Sequence, residues 1–345
     1  MAASRGLRAS LFLAALVALP AAPSAALTVD ELLPPPAEPD YRGRKVVIEF
    51  TSRGPRLTSL SVLSQPGGRE RRELNANRGV QVFDGEYSWQ YFPERDIVVR
   101  RPAVAEGGEI LRPEQLERAI ASYTVRVLPS GPIAGRRSRA LEFTPRFAGS
   151  RPRRVVWVDA ATSLILRTEV YGTNNRLGWL SAFEELEYRP LIDATAFMRP
   201  GPPDVTVVEA AAEPCLEPDE AERIAGLPMG LPAYLPQGFD RQCIRARRQR
   251  DYGEIQVVFG DGLSLLSLFA STSFRDPAGG RKDASAVSVG HATGRWHDLG
   301  LVTGISWRAP WAHMALLGEV SRTEMHRIAG SVRSRQELSA TPARQ

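Results

Sequence analysis

The stretch from Val82 to Pro102, VFDGEYSWQYFPERDIVVRRP, decides how the first half of the chain folds. Asp84-Gly85 is a two-residue hairpin signal, and beyond it Tyr87, Trp89 and Tyr91 place an aromatic ring at every second position. Side chains alternate faces along a strand, so the three rings share one face and Ser88, Gln90 and Phe92 share the other. Pro93 marks a second turn, after which RDIVVRR returns as the next strand. Burying a large aromatic side chain stabilises by about 1.5–3 kcal/mol, so the aromatic face demands a cover.

The same rhythm extends in both directions. KVVIEF, RLTSLSVL, RERRELNA and GVQVF precede the stretch, and YTVRVL, SRALEFTPR, RRVVWVD, SLILRTEVYG and LGWLSAFEELEY follow it, separated by Gly, Pro and Asp signals. These are the marks of consecutive antiparallel hairpins. One segment departs from the pattern: RPEQLERAIASY, from Arg112, carries Leu116, Ala119 and Ile120 at helical spacing, with Pro113 where a first turn tolerates it. Arg189 to Pro214 is proline-rich with neither period and reads as a connector. A second set follows: a helix signal in PDEAERIAGL, strands in QCIRARRQ, EIQVVFGDG, LSLLSLFAS, SAVSVGH, LGLVTGISWR and HMALLGEV, and a closing helix in SRTEMHRIAGSV. There Ser321 and Glu324 have the spacing of a capping box.

The expected fold class is therefore α+β: a curved antiparallel sheet, a half-barrel with a helical lid, followed by a smaller α+β domain. The expected limits are a signal peptide at 1–26, the sheet domain at 27–190, a linker at 191–214, the small domain at 215–334 and a tail at 335–345. A length of 345 residues fits about two folded units. The first residues hold Arg5 and Arg8, an apolar run from Leu11 to Leu19 and small residues to Ala26. That run is shorter than the roughly 20 residues of a spanning helix, which points to export through a cleaved leader, the periplasm being the location that the resemblance given below implies.

Loss of that leader takes the formal charge from +5 to about +3, too mild a balance to argue for nucleic acid. The two cysteines, Cys215 and Cys243, are expected to be joined, since the chain leaves a reducing compartment; the competing reading is two buried thiols. With no Cys-x-x-Cys pair, thiol-disulfide exchange chemistry is excluded.

The search for catalytic patterns is nearly empty. His-Glu-x-x-His, Gly-x-Ser-x-Gly and a phosphate-cradling glycine loop are all missing, so no catalytic residue, metal site or cofactor is expected. His291, His297, His313 and His326 lack ligand spacing, and Asp84, Glu86, Glu94 and Asp96 are explained by turns. The densest basic run, RARRQR, puts Arg245 and Arg247 on one side of a strand and Arg248 and Arg250 on the other. Two readings compete for it, protection of a sheet edge and an acidic-partner site.

The candidate site is the greasy side of the sheet. Tyr87, Trp89 and Tyr91, with Val155, Trp157, Leu164 and Leu166, offer more apolar surface than one helix can hide, so a groove for an acyl chain or an apolar peptide is expected. The competing reading is a sheet curled upon itself as a dry core.

YRGRKVV, GGRERRELNA and DGEYSWQYFPERDIVVRRP resemble the first domain of the MucB/RseB family of periplasmic sigma-factor regulators in envelope stress. LPAYLPQGF, FGDGLSLLSLFA and HMALLGEVSRTEMHRIAGSV are similar to that family's smaller second domain. The resemblance implies a first domain with the curved sheet of the lipoprotein carriers LolA and LolB. It also implies a non-enzyme that binds the periplasmic domain of a membrane-anchored anti-sigma factor and senses lipid or acylated lipoprotein. A carrier of lipoproteins or lipids is the alternative. The leader gives a direct expectation: N-terminal sequencing of the protein from an envelope fraction should begin close after Ala26, and a retained Met1 would overturn the reading.

Overall fold

The computed structural model describes residues 29–33, 37–51, 54–74, 79–102, 110–211, 214–273, 285–335 and 337. The expected signal peptide and all of the expected tail except Arg335 and Glu337 lie outside them. No helix among the described residues is long and apolar enough to cross a membrane.

Two large sheets organise the chain. The first begins with β1 (Tyr41–Thr51), which ends in the middle of twelve strands, paired to β2 (Gly54–Gln65) on one side and β11 (Leu177–Tyr188) on the other. From β2 a meander runs outward through β3 (Arg69–Leu74), β4 (Gly79–Phe83), β5 (Tyr87–Phe92) and β6 (Ile97–Pro102). The opposite wing is β10 (Ile165–Tyr171), β9 (Arg153–Asp159), β8 (Ser138–Pro145) and β7 (Tyr123–Leu128) at the edge. So long a row of twisted strands cannot stay flat, and it forms a curved, open sheet.

The helical layer covers one face of this sheet, called inner below. It comprises α1 (Val29–Leu32) and α2 (Pro113–Ser122). Leu116 and Ala119, three residues apart on α2, pack with Leu32, Leu33, Leu141, Phe143, Val156 and Val158. Pro113 starts the helix, and Gln115 accepts from the Arg112 main-chain N–H across its first turn. A second patch on the same face gathers Tyr41, Val62, Leu164, Leu166 and Phe183.

The connector is not a free link. Within it, β12 (Thr206–Glu209) adds to the first sheet as a parallel strand on β6, an element that the proline-rich composition hid.

The second sheet orders seven strands: β14 (Asp240–Gln249), β15 (Tyr252–Gly260), β16 (Leu265–Ser271), β20 (His313–Gly318), β19 (Val302–Arg308), β18 (Ala292–Leu299) and β17 (Ser285–Val289). Two helices, α3 (Pro218–Ala225) and α4 (Arg322–Ser331), supply Ala221, Met325 and Ile328 to a core with Ile255, Leu268, Ile305 and Leu316. Ser321 accepts from the Glu324 N–H as the capping spacing requires, but the Glu324 carboxylate takes the Tyr234 hydroxyl instead of closing the box. A two-stranded ribbon of β13 (Gly230–Pro232) and β21 (Val332–Ser334) closes this unit. Cys215 and Cys243 are bonded, tying the end of the connector to β14.

The second sheet meets the first through a buried polar cluster. Asp261, at the β15–β16 turn, is fully buried, and its Oδ2 receives Arg151 at 2.5 Å and the Tyr123 hydroxyl at 3.2 Å. Its Oδ1 accepts the N–H groups of Leu263 and Ser264. Burial, then the Asp261 charge, hold the Tyr123 phenol well above its usual range, so it remains a donor. Gly262 follows with φ +95°, and a Cβ there would stand 2.7 Å from the Gln115 carbonyl oxygen; only glycine lets this turn meet α2.

Removing one partner of a buried pair strands a charge. Arg151→Ala should therefore cost about 3–5 kcal/mol in urea unfolding, and Tyr123→Phe about 1 kcal/mol. Cys215→Ser with Cys243→Ser should cost about 3.5 kcal/mol on the chain-entropy account. Equal midpoints with and without reductant would sink that expectation.

Candidate binding surfaces

Tyr87, Trp89 and Tyr91 do share one face of β5, but it is the outer face, away from α1 and α2. Trp89 lies opposite Val82 and Arg100, and Val82 opposite Arg71. The cover over this row is the connector. Arg71 donates to the Ala196 carbonyl within the short turn Ala194–Phe197, Phe197 and Val205 are buried, and a Cβ on Gly201 would stand 3.0 Å from the Tyr91 ring. At the other end of the row the Arg100 guanidinium lies 3.6 Å from the centre of the Tyr87 ring and 5.2 Å from Trp89.

Asp84 holds the hairpin that starts the row. Its carboxylate accepts the N–H groups of Glu86 and Tyr87 and the Trp89 indole N–H at 2.7 Å. Burial works to raise this carboxyl, but these donors outweigh it and hold it below the usual carboxylate range.

The seven residues expected in one groove therefore do not form one. Val155 and Trp157 lie on the outer face with the aromatic row, Trp157 under the Arg167 guanidinium at 5.0 Å and Val155 between Glu142 and Glu169. Leu164 and Leu166 are on the inner side, fully buried in the core with Phe183. The physical reason is a bulge: the register shifts between Ile165 and Arg167, so Leu166 turns inward while Arg167 turns out to Trp157. Strict alternation, carried across that hairpin, put all seven together.

The open hollows lie instead where the two sheets meet. One, of about 350 Å³, is bounded by Phe50, Val170 and Trp179 of the first sheet and Leu299, Leu301 and Val302 of the second. Across it Arg154 pairs with Glu319 at 2.5 Å, and Leu301 occupies the space that a side chain at Gly178 would need. A second, of about 400 Å³, is lined by Phe147, Tyr234, Leu235 and Pro236, with Arg327 stacked 3.7 Å from the Tyr234 ring. Sequence reasoning missed both, because each is made by residues that only tertiary docking brings together.

The basic run lies on β14, the edge strand of the second sheet. Arg245 and Arg247 point to the outer face, where Arg247 pairs with Glu254 at 2.6 Å. Arg248 fills the space beside Gly226, the left-handed C-cap of α3, where a cation suits the carbonyl end of the helix. Arg250 sits in the turn with φ 51°. The four arginines are thus divided among an outer face, a helix end and a turn. The histidines are dispersed too: His297 bonds Ser306 Oγ, His313 lies beside Arg308, and His326 stacks on Trp296. Among the described residues no cluster of His, Cys, Asp and Glu could hold a metal ion.

Residues 63–199 match the family described as the MucB/RseB N-terminal domain. No curated protein matches the chain. Among solved structures, MucB in complex with MucA(peri) is 18% identical, with a TM-score of 0.54, covering 86% of this chain and 93% of that one. The Pseudomonas aeruginosa MucA/MucB complex is 17% identical with the same TM-score and coverage. At such identity the likeness speaks to fold, and it extends over both sheets. Residues 63–199, which lie on the curved sheet, thus match the MucB/RseB N-terminal domain, and the likeness of fold runs on through the second unit.

Proposed function

We propose that this chain is a periplasmic regulator that holds the exported segment of a membrane-anchored anti-sigma factor. The observation that supports this reading is the extent of the likeness: 86% of the chain, both sheets included, is covered by the match to a protein solved bound to MucA(peri). A binding role also suits the geometry. The hollows at the junction are walled by aromatic and aliphatic side chains with a few polar groups, the usual make-up of a recognition site. In this reading residues 27–190 and 215–334 act as two halves of one binding unit, and the junction between them is where a partner is gripped.

For lipid or acylated lipoprotein, the occupant fits the junction better than the aromatic row. Phe50, Val170, Trp179 and Leu301 surround an open apolar space, whereas Tyr91 lies against the connector at Gly201, Tyr87 and Trp89 lie beside Arg100, and Leu164 and Leu166 are buried with Tyr41, Val62 and Phe183. An acyl chain reaches the row only if the connector lifts from it. A carrier function would use the same hollow.

Two measurements test these readings. Calorimetric titration of the mature chain with the periplasmic segment of a single-pass anti-sigma factor should give a Kd of about 1 μM or tighter, and no heat at about 100 μM would overturn the proposal. Native mass spectrometry of the protein purified from envelope should show an adduct of lipid mass that Trp179→Ala with Leu301→Ser reduces. An adduct that survives this change but is lost in Tyr87→Ala with Trp89→Ala would return the site to the aromatic row.

A further inference from the structure

Among the described residues the outer face of the second sheet carries no helix, since α3 and α4 both pack on the opposite side with Ile244, Ile255, Leu268, Met314 and Ile305. Strand register places its side chains in lateral rows. One row runs Arg245, Gln256, Phe269, Ala315, Ser306, Arg295 across six neighbouring strands. The next runs Arg247, Glu254, Ser271, His313, Arg308. Over these strands each row lies between two arginines with small, polar or aromatic groups in the middle, and the first continues past Arg295 to Ala286 on β17.

The charges on this face are unbalanced. Glu254 answers Arg247, and the other side chain facing Arg308 is the His313 ring at 3.4 Å. Among the described residues Arg245 and Arg295 have no ion pair or hydrogen bond, and Arg245 Nε is buried without an acceptor. A buried donor left without a partner is uncommon and calls for an explanation. The face also lies clear of the junction, which is built from the opposite strand ends around Asp261, Leu301 and Glu319.

We infer that this face binds an extended acidic peptide segment that runs across the strands, its carboxylates on Arg245 and Arg295 and an apolar side chain between them on Phe269. The inference rests on the binding role proposed above and names the chemistry of the partner at a second surface. Spacing sets the register. Five strand intervals at about 4.8 Å put the two arginines about 24 Å apart, and a chain extended at about 3.4 Å per residue covers this in about seven residues. Gln256, half-buried between the ends, can bond the peptide main chain, whereas Ser306 is buried and bonded to His297. The hollow beside Arg245 is small, about 160 Å³, and bounded by Gln256, Glu254 and Phe269, which suits a side chain better than a lipid tail.

The test uses the mature chain, Arg245→Glu with Arg295→Glu, and the milder Arg245→Gln with Arg295→Gln, all checked by circular dichroism. The probe is a labelled nine-residue peptide with glutamates at positions 2 and 8 and leucine at 4, all on one face of an extended chain, read by fluorescence anisotropy at low and high salt. The parent should bind it at least about tenfold more tightly than the twin with glutamines. Both variants should lose that preference, and a peptide with lysines at 2 and 8 should bind the charge-reversed protein. Equal binding of the two twins, or an unchanged preference in both variants, overturns the inference. So does binding to phosphatidylglycerol vesicles that requires these arginines while the peptide does not bind. Full-strength binding of the anti-sigma segment by the charge-reversed protein would overturn this surface alone, whereas failure of that segment to bind the parent would overturn the earlier reading.

Discussion

The buried carboxylate of Asp261 is the point on which the arrangement of the two sheets depends. Taking it and Arg151 out of water is costly, and their mutual attraction offsets that cost only if the remaining hydrogen-bonding capacity is filled. Here it is filled from three directions: Arg151 from the loop after β8, Tyr123 from the point where α2 passes directly into β7, and two main-chain N–H groups from its own turn. No one sheet satisfies the cluster alone. Arg151 also donates to the Gln237 carbonyl, and Ser122 to the same oxygen, so the second unit is held by main chain as well as by charge. The hollows at the junction inherit their shape from this contact, because Arg151 lines one and Arg154, three residues on, spans the other.

Much of the fold was legible because local signals agree with tertiary ones. The hairpins around Val82–Pro102 follow from Asp84-Gly85 and Pro93, and Asp84 was rightly assigned to its turn, where three donors converge on it. Edge placement of RARRQR was one of two readings, and β14 is an edge. The two cysteines were expected to pair and do. β18 escaped notice because ATGRWHDL has few β-branched residues and contains Gly294, yet Trp296 anchors it in the core.

The site was far less legible, and the reason is parity. A single extra residue at the β9–β10 hairpin moves Leu166 to the face opposite Trp157, and no pattern of residue types announces such a bulge. The cover for the aromatic row was equally hidden. Its demand for burial was read correctly from Tyr87, Trp89 and Tyr91, but proline-rich text suggested a solvated link where the chain lays Phe197 and Val205 against the sheet. Composition tells how stiff a connector is, and not what it rests upon.

That connector does more than join two units. Its strand β12 completes the edge of the first sheet, with Glu209 paired to the same Arg100 that stacks on Tyr87. Six residues later Cys215 is bonded to Cys243, two positions from Arg245 on β14. A short covalent path therefore leads from the aromatic row to the outer face of the second sheet, bypassing the Asp261 cluster. Since β12 is exposed along its whole length and held by four residues of pairing, it is the weakest strand of its sheet. The turn that lies against the aromatic row and the strand that closes the sheet edge thus belong to one stretch of chain, tied covalently to the second unit.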